Sequence, residues 1–267
     1  MSNGASQPTL LRPQPDLDGL VRSLGLVRAC TWCALERSTS RSAPIAFGSR
    51  PVEDLTAELQ ACAVMHRTAT ACADVRRSLY DPVRWSYAAP WSDVPCLETS
   101  LARSLLAAWE SSTVMERINL WRWLAASESA HYLSHLLRKH QISAERAGIA
   151  IHALGEDWTE HSLGRQRYLA WAGVRAAAGA LLQSGMDQEH AQSTMIDEMR
   201  RRSRWLHQRA HTGTLGSTDF CFVPDASWRK PIVFDVVMEL MPDIGTGHWL
   251  SSPESLRSSL SSIPLSK

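Results

Sequence analysis

The stretch Thr113-Val-Met-Glu-Arg-Ile-Asn-Leu-Trp-Arg-Trp-Leu-Ala-Ala-Ser-Glu-Ser-Ala-His-Tyr-Leu-Ser-His-Leu-Leu-Arg-Lys-His140 decides the fold. Thr113 and Glu116 form a capping-box pattern, in which each side chain satisfies an orphan backbone N–H at a helix start. Val114, Ile118, Trp121, Ala125, Tyr132 and Leu136 then share one sector of a helical wheel. Between Leu120 and Ala126 only Arg122 interrupts an apolar ring, and Trp121 and Trp123 point to nearly opposite sides. Such a helix buries both indoles only if others wrap it. The expected fold is therefore mainly α, a compact array of about seven to eight helices.

Outward from this helix the punctuation is regular. A helix from about Leu97 to Ser111 precedes it. Ser143-Ala-Glu-Arg146 starts a short helix that Gly155 closes, and Asp157 to Leu163 makes a further short turn before Gly164. Arg165 to Ser184 is alanine-rich, which permits close approach of a neighbour. Asp187 caps a last helix to about His211. Toward the N-terminus, Asp16 or Asp18 caps a helix to about Arg37 with Leu17, Leu20, Val21, Leu24 and Val27 on its apolar face. Ser38 to Pro51 reads as a loop, and Pro51 opens a long helix to about Tyr80. Asp81 to Pro95, with three prolines and Trp85, Tyr87 and Trp91, is not a regular helix but is pinned across the helices.

Residues 1–15 read as a mobile leader and 16–211 as the helical domain. Residues 212–250 form a small strand-containing appendage. There Asp219-Phe-Cys-Phe-Val223 and Ile232-Val-Phe-Asp-Val-Val-Met-Glu-Leu240, both β-branched and aromatic, pair as a C-terminal β-hairpin. Residues 251–267 form a mobile Ser-rich tail.

The 44% apolar content is that of a globular chain, and a net charge of +1 supplies no global pull toward nucleic acid or anionic membrane. No run approaches the roughly 18 uncharged apolar residues of a membrane span. Residues 1–14 lack the pattern of a Sec-type signal peptide, so the expected location is cytoplasmic and the six cysteines read as reduced thiols. Eleven Trp against four Phe and four Tyr put much of the core's bulk into indole, whose buried N–H groups need partners.

Three clusters carry candidate chemistry. Cys30-Thr-Trp-Cys33 together with Cys62 and His66 offers a thiolate–imidazole set suited to zinc. Against it, Cys30 and Cys33 fall within a continuous helix rather than a tight knuckle, and buried Cys also serves as a small core residue. Glu128-Ser-Ala-His131 with His135 has the Glu-x-x-His spacing of carboxylate-bridged bundles, but the second copy, Asp187-Gln-Glu-His190, has Asp in a capping position. Arg200-Arg-Arg-Ser-Arg204, followed by His207, Arg209 and His211, is the one dense basic run, suited either to solvent or to an acidic or phosphate surface. No Gly-x-Ser-x-Gly elbow, phosphate-cradling loop or His-Glu-x-x-His pair occurs. The absence of catalytic motifs, beside abundant helix surface and exposed tails, points to a non-enzymatic protein-interaction adaptor without cofactor, with partner contacts at Trp123, Arg200, Arg201 and Arg204. The alternatives are a helix–turn–helix DNA-binding regulator, from the breaks after Leu137 and Leu182, and a metal-dependent helical enzyme.

The order of Asp81-Pro-Val-Arg-Trp85, packed helices, Ala153-Leu-Gly-Glu-Asp157 and a closing Arg-rich helix, over about residues 80 to 210, resembles one protein group. These are the small helical accessory subunits of bacterial type III secretion systems. The resemblance implies a cytoplasmic adaptor that ties the sorting platform to the inner-membrane ring, without catalytic residues.

Overall fold

The computed structural model describes residues 15–41, 50–67, 85–88, 90–183, 187–222, 232–240, 249–253 and 257. The expected leader and most of the Ser-rich tail lie outside them. Among the described residues the fold is mainly α, with nine helices and one two-stranded antiparallel sheet.

Helix α1, Leu17–Arg41, kinks at Gly25, whose φ of 73° breaks the helical path. Helix α2, Arg50–Ala61, stops well short of Tyr80. Ala63 takes φ 53°, and Val64 N reaches back to Leu59 O at 2.8 Å, a left-handed closure made without the glycine that signals one. Strand β1, Met65–Arg67, follows and pairs with β2, Trp85–Tyr87, placing Met65 opposite Tyr87 and Arg67 opposite Trp85. Residues 68–84, the remainder of the expected long helix and its linker, lie outside the described residues. A 3-10 turn at Trp91–Asp93 leads into α3, Leu97–Glu110. As expected of the Pro/Trp segment, Tyr87 and Trp91 pack on the core.

The organising helix is α4, Val114–Lys139, and both halves of its capping box are formed. Then come α5, Arg146–Leu154, and α6, Glu156–Thr159. Helix α7, Leu163–Leu181, begins at Leu163 because the Ser162 hydroxyl accepts from Arg165 N, which carries Gly164 into the helix. Asp187 caps α8, Gln188–His211, by accepting from His190 N at 2.7 Å.

The expected C-terminal hairpin is corrected. Ile232–Leu240 is a helix, α9, and residues 217–220 form a turn. Val233, Val236, Val237 and Leu240 recur at helical spacing and are buried, whereas Asp235 and Glu239 face outward. That periodicity overrides the β-preference of the branched side chains. The sheet of the fold is instead β1–β2, near the N-terminal half.

Two apolar clusters make up the interior, and α4 belongs to both. Ile118, Leu120, Trp121, Leu124 and Ala125 join α1, α2, α3 and α9 in the first. Leu133 and Leu137 join α5 to α8 in the second. Between the two lies a buried polar seam at Glu128 and Ser129. The Ser129 hydroxyl lies 2.7 Å from Gln166 Oε1 and accepts the indole N–H of Trp158 at 3.2 Å. The Arg167 guanidinium stacks over Tyr132 and Trp249, with its nearest nitrogen 3.7 Å from Glu128 Oε1. Small residues let α7 and α8 approach closely. A Cβ on Gly173 would fall 2.5 Å from Met199 Cγ, so the pair packs tighter than any side chain there allows.

Candidate functional site

The residues expected to bind metal do not converge. Cys30 and Cys33 are buried in the first cluster, while Cys62 and His66 are exposed beyond the end of α2. Among the described residues no three His, Cys, Asp or Glu side chains form a metal-sized group. Burial raises the Cys33 thiol to about 11, against an opposing pull from Arg37, and raises Cys30 further, so both sulfurs are protonated at neutral pH. Glu128 lies against Arg167, and Asp187 is the α8 cap. His131 is held below its ordinary value by burial, then by Arg138, His135 and Arg167.

The basic run is largely engaged within the fold. Arg200 Nη2 donates to Ala153 O at 2.9 Å, closing the carbonyl end of α5. Arg201 grips Glu198 through two hydrogen bonds, of 2.8 and 2.7 Å. Arg202 donates to the same carboxylate and to Tyr168 Oη at 3.0 Å. Burial alone raises Glu198, but the bonds from Arg202 and Arg201 outweigh it and hold the carboxyl below its usual value. Arg204 is exposed, with one 3.5 Å contact to Arg200 O. His207 stacks on the buried His161 at 4.4 Å, and His161 Nε2 meets Ser203 Oγ at 2.8 Å. Trp123 is half-buried against the first cluster rather than standing free.

A surface that none of these expectations named runs across α7, α8 and the 215–222 turn. Trp171 meets Phe222 edge-on at 5.4 Å, and Phe222 meets Tyr168 at 5.6 Å. Tyr168 then touches Phe220 at 5.2 Å, and Phe220 meets Trp205 at 4.8 Å. A guanidinium closes each end of this row. Arg175 lies 4.7 Å over Trp171, and Arg209 lies 5.2 Å over Trp205. Trp171, Trp205, Phe220 and Phe222 are half-buried, and Arg175 is exposed. Phe220 adopts φ 56°, left-handed for a bulky side chain, at a cost of about 1–3 kcal/mol. Its ring contacts with Tyr168 and Trp205 hold it there. The sequence does carry a signal for this surface. Trp171-x-x-x-Arg175 and Trp205-x-x-x-Arg209 repeat one spacing, which stacks the cation on the indole one helical turn away.

Comparison of the chain with protein-family models, with curated proteins and with solved structures returns no significant match.

Proposed function

We propose that the chain is a non-enzymatic cytoplasmic adaptor that docks a protein partner on the α7–α8 face. One observation carries the reading: an aromatic row closed at both ends by stacked arginines. Trp, Tyr and Arg dominate the energetics of protein interfaces, because they combine large contact area with few rotatable bonds and directional donors. Phe220 supports it further, since strained backbone gathers where a surface is held in a working geometry. No helix among the described residues is long and apolar enough to cross a membrane, which is compatible with a cytoplasmic post. The narrower form of the proposal follows the resemblance over residues 80 to 210, an accessory subunit of a type III secretion apparatus. A helix–turn–helix reading has less to work with, because Arg200, Arg201 and Arg202 already serve Ala153, Glu198 and Tyr168.

The test is affinity capture from native cells with the wild-type chain and with Trp205→Ala, each identified by mass spectrometry. A partner retained by the wild type and lost by the variant is the expected result. If the same proteins are recovered with both, this face is not the docking surface. A sorting-platform or inner-membrane-ring component as that partner would carry the narrower form.

A further inference from the structure

We infer that the partner presents an acidic segment, its carboxylates meeting Arg175 and Arg209 and its apolar side chains lying along the ring row between them. This rests on the docking reading of the α7–α8 face. Neither Arg175 nor Arg209 has a carboxylate within ion-pairing distance among the described residues. Two acids beside the row, Glu198, which Arg202 links to Tyr168, and Asp219, next to Phe220 in the chain, are otherwise engaged. Glu198 is held by Arg201 and Arg202, and Asp219 Oδ2 accepts from Gly216 N at 3.0 Å. The face therefore shows an uncompensated positive charge at each end.

Stacking prepares these cations for carboxylates. A guanidinium laid on an indole has lost much of its rotamer freedom and has one face dehydrated, while its edge N–H groups still point outward as a fork. Among the described residues Arg175 makes no hydrogen bond or ion pair that would occupy that fork, and Arg209 gives one N–H, to Thr214 O at 2.7 Å. Bidentate carboxylate binding is what such a fork fits.

A single-stranded nucleic acid is the competing polyanion, and the geometry favours it less. Bases need open ring faces to stack on. Here Arg175 covers Trp171 and Arg209 covers Trp205, Phe222 packs edge-on against Trp171 and Tyr168, and Tyr168 is further covered by Trp171 and the tilted Phe220. Two forks are also few beside the phosphate contacts that nucleic-acid affinity rests on, and a net charge of +1 supplies no long-range attraction.

The full chain is titrated, by fluorescence anisotropy, into three labelled probes: a synthetic peptide with Glu and Asp flanking Leu and Phe, its Lys-substituted counterpart, and a short oligothymidine. Saturable binding of the acidic peptide that weakens with salt is expected, with none for the Lys peptide. Arg175→Glu should weaken it by about tenfold or more, and Arg175→Lys, which keeps the charge but not the fork, by less. Because Arg175 is exposed, its variants keep the fold, and a matching melting curve checks this. Oligothymidine binding tighter than the acidic peptide would overturn the inference in favour of nucleic acid. No saturable binding of the acidic peptide, or binding unchanged in Arg175→Glu, would also overturn it. In either case a native partner lost on Trp205→Ala would still uphold the docking reading itself.

Discussion

His161 shows how a single side chain sets a pH limit on this fold. Its ring is nearly sealed beneath His207, and burial, followed by the His207 and Arg165 charges, lowers its pKa to about 3. In the unfolded chain the same group titrates near 6.5, so between these values the unfolded state binds the extra proton. Stability is thus complete above about pH 6.5 and falls as the pH drops toward the folded value, by at most about 1.4 kcal/mol per unit. Urea titrations of wild type and His161→Asn over that range check the slope. If the difference between the two proteins does not change with pH, His161 is not the responsible group. The indoles of α4 separate in the same way. Trp121 is fully buried, so Trp121→Ala should cost about 3–5 kcal/mol, whereas the half-buried Trp123→Ala should cost clearly less. Equal denaturation midpoints for the two variants would contradict the packing of α4.

At the scale of elements, legibility tracked how many local signals agreed. For α4 and α8 the caps, the apolar spacing and the terminal charges pointed the same way, and both helices stand with the caps expected at Thr113 and Asp187. In α9 two signals disagreed. Val233, Phe234, Val236 and Val237 carry strand preference by composition, while their spacing is helical, and burial against α1 decides for the spacing. Arg37 reinforces that docking, with a bidentate grip on Glu239 at 2.8 and 2.7 Å and a second carboxylate, Glu98, at 3.3 Å. Trp171 and Trp205 were hidden differently. Each sits in a helix most of whose other apolar residues are core, so the Trp-x-x-x-Arg repeat is what sets them apart. The α9 assignment yields a direct prediction. Val237→Asp places a charge on its buried face and should cost several kcal/mol, clearly more than Asp235→Ala on the outward face. Thermal melts of the two variants distinguish a helix from a strand, because on a strand alternation would set both residues on one face. Comparable losses would therefore count against the helix.

For the whole molecule the question is whether two apolar clusters make one folding unit. Helix α4 runs through both, so neither cluster loses its structure without removing a wall of the other. The seam between them is polar and buried, and Arg167 is its hub. It stands against Glu128 of α4, stacks on Tyr132 of α4 at 4.4 Å, and stacks on Trp249, which itself lies on Phe234 of α9. The guanidinium thereby ties α7 of the second cluster to α4 and to the α9 side of the first. Wild-type protein should unfold in one transition, with tryptophan fluorescence and amide circular dichroism superimposed. Arg167→Ala removes this tie and leaves the Glu128 carboxylate buried without that counter-charge, which should cost about 3–5 kcal/mol. The α9 side, having lost the cation under Trp249, should then release before α4–α8, so the two probes should separate. Replacing Glu128 by Gln in the Arg167→Ala background should recover part of the loss, since no buried carboxylate remains to be neutralised. Coincident probes in Arg167→Ala at an unchanged midpoint would mean that the clusters are joined by the apolar packing of α4 and α7, with the seam adding nothing to their cooperation.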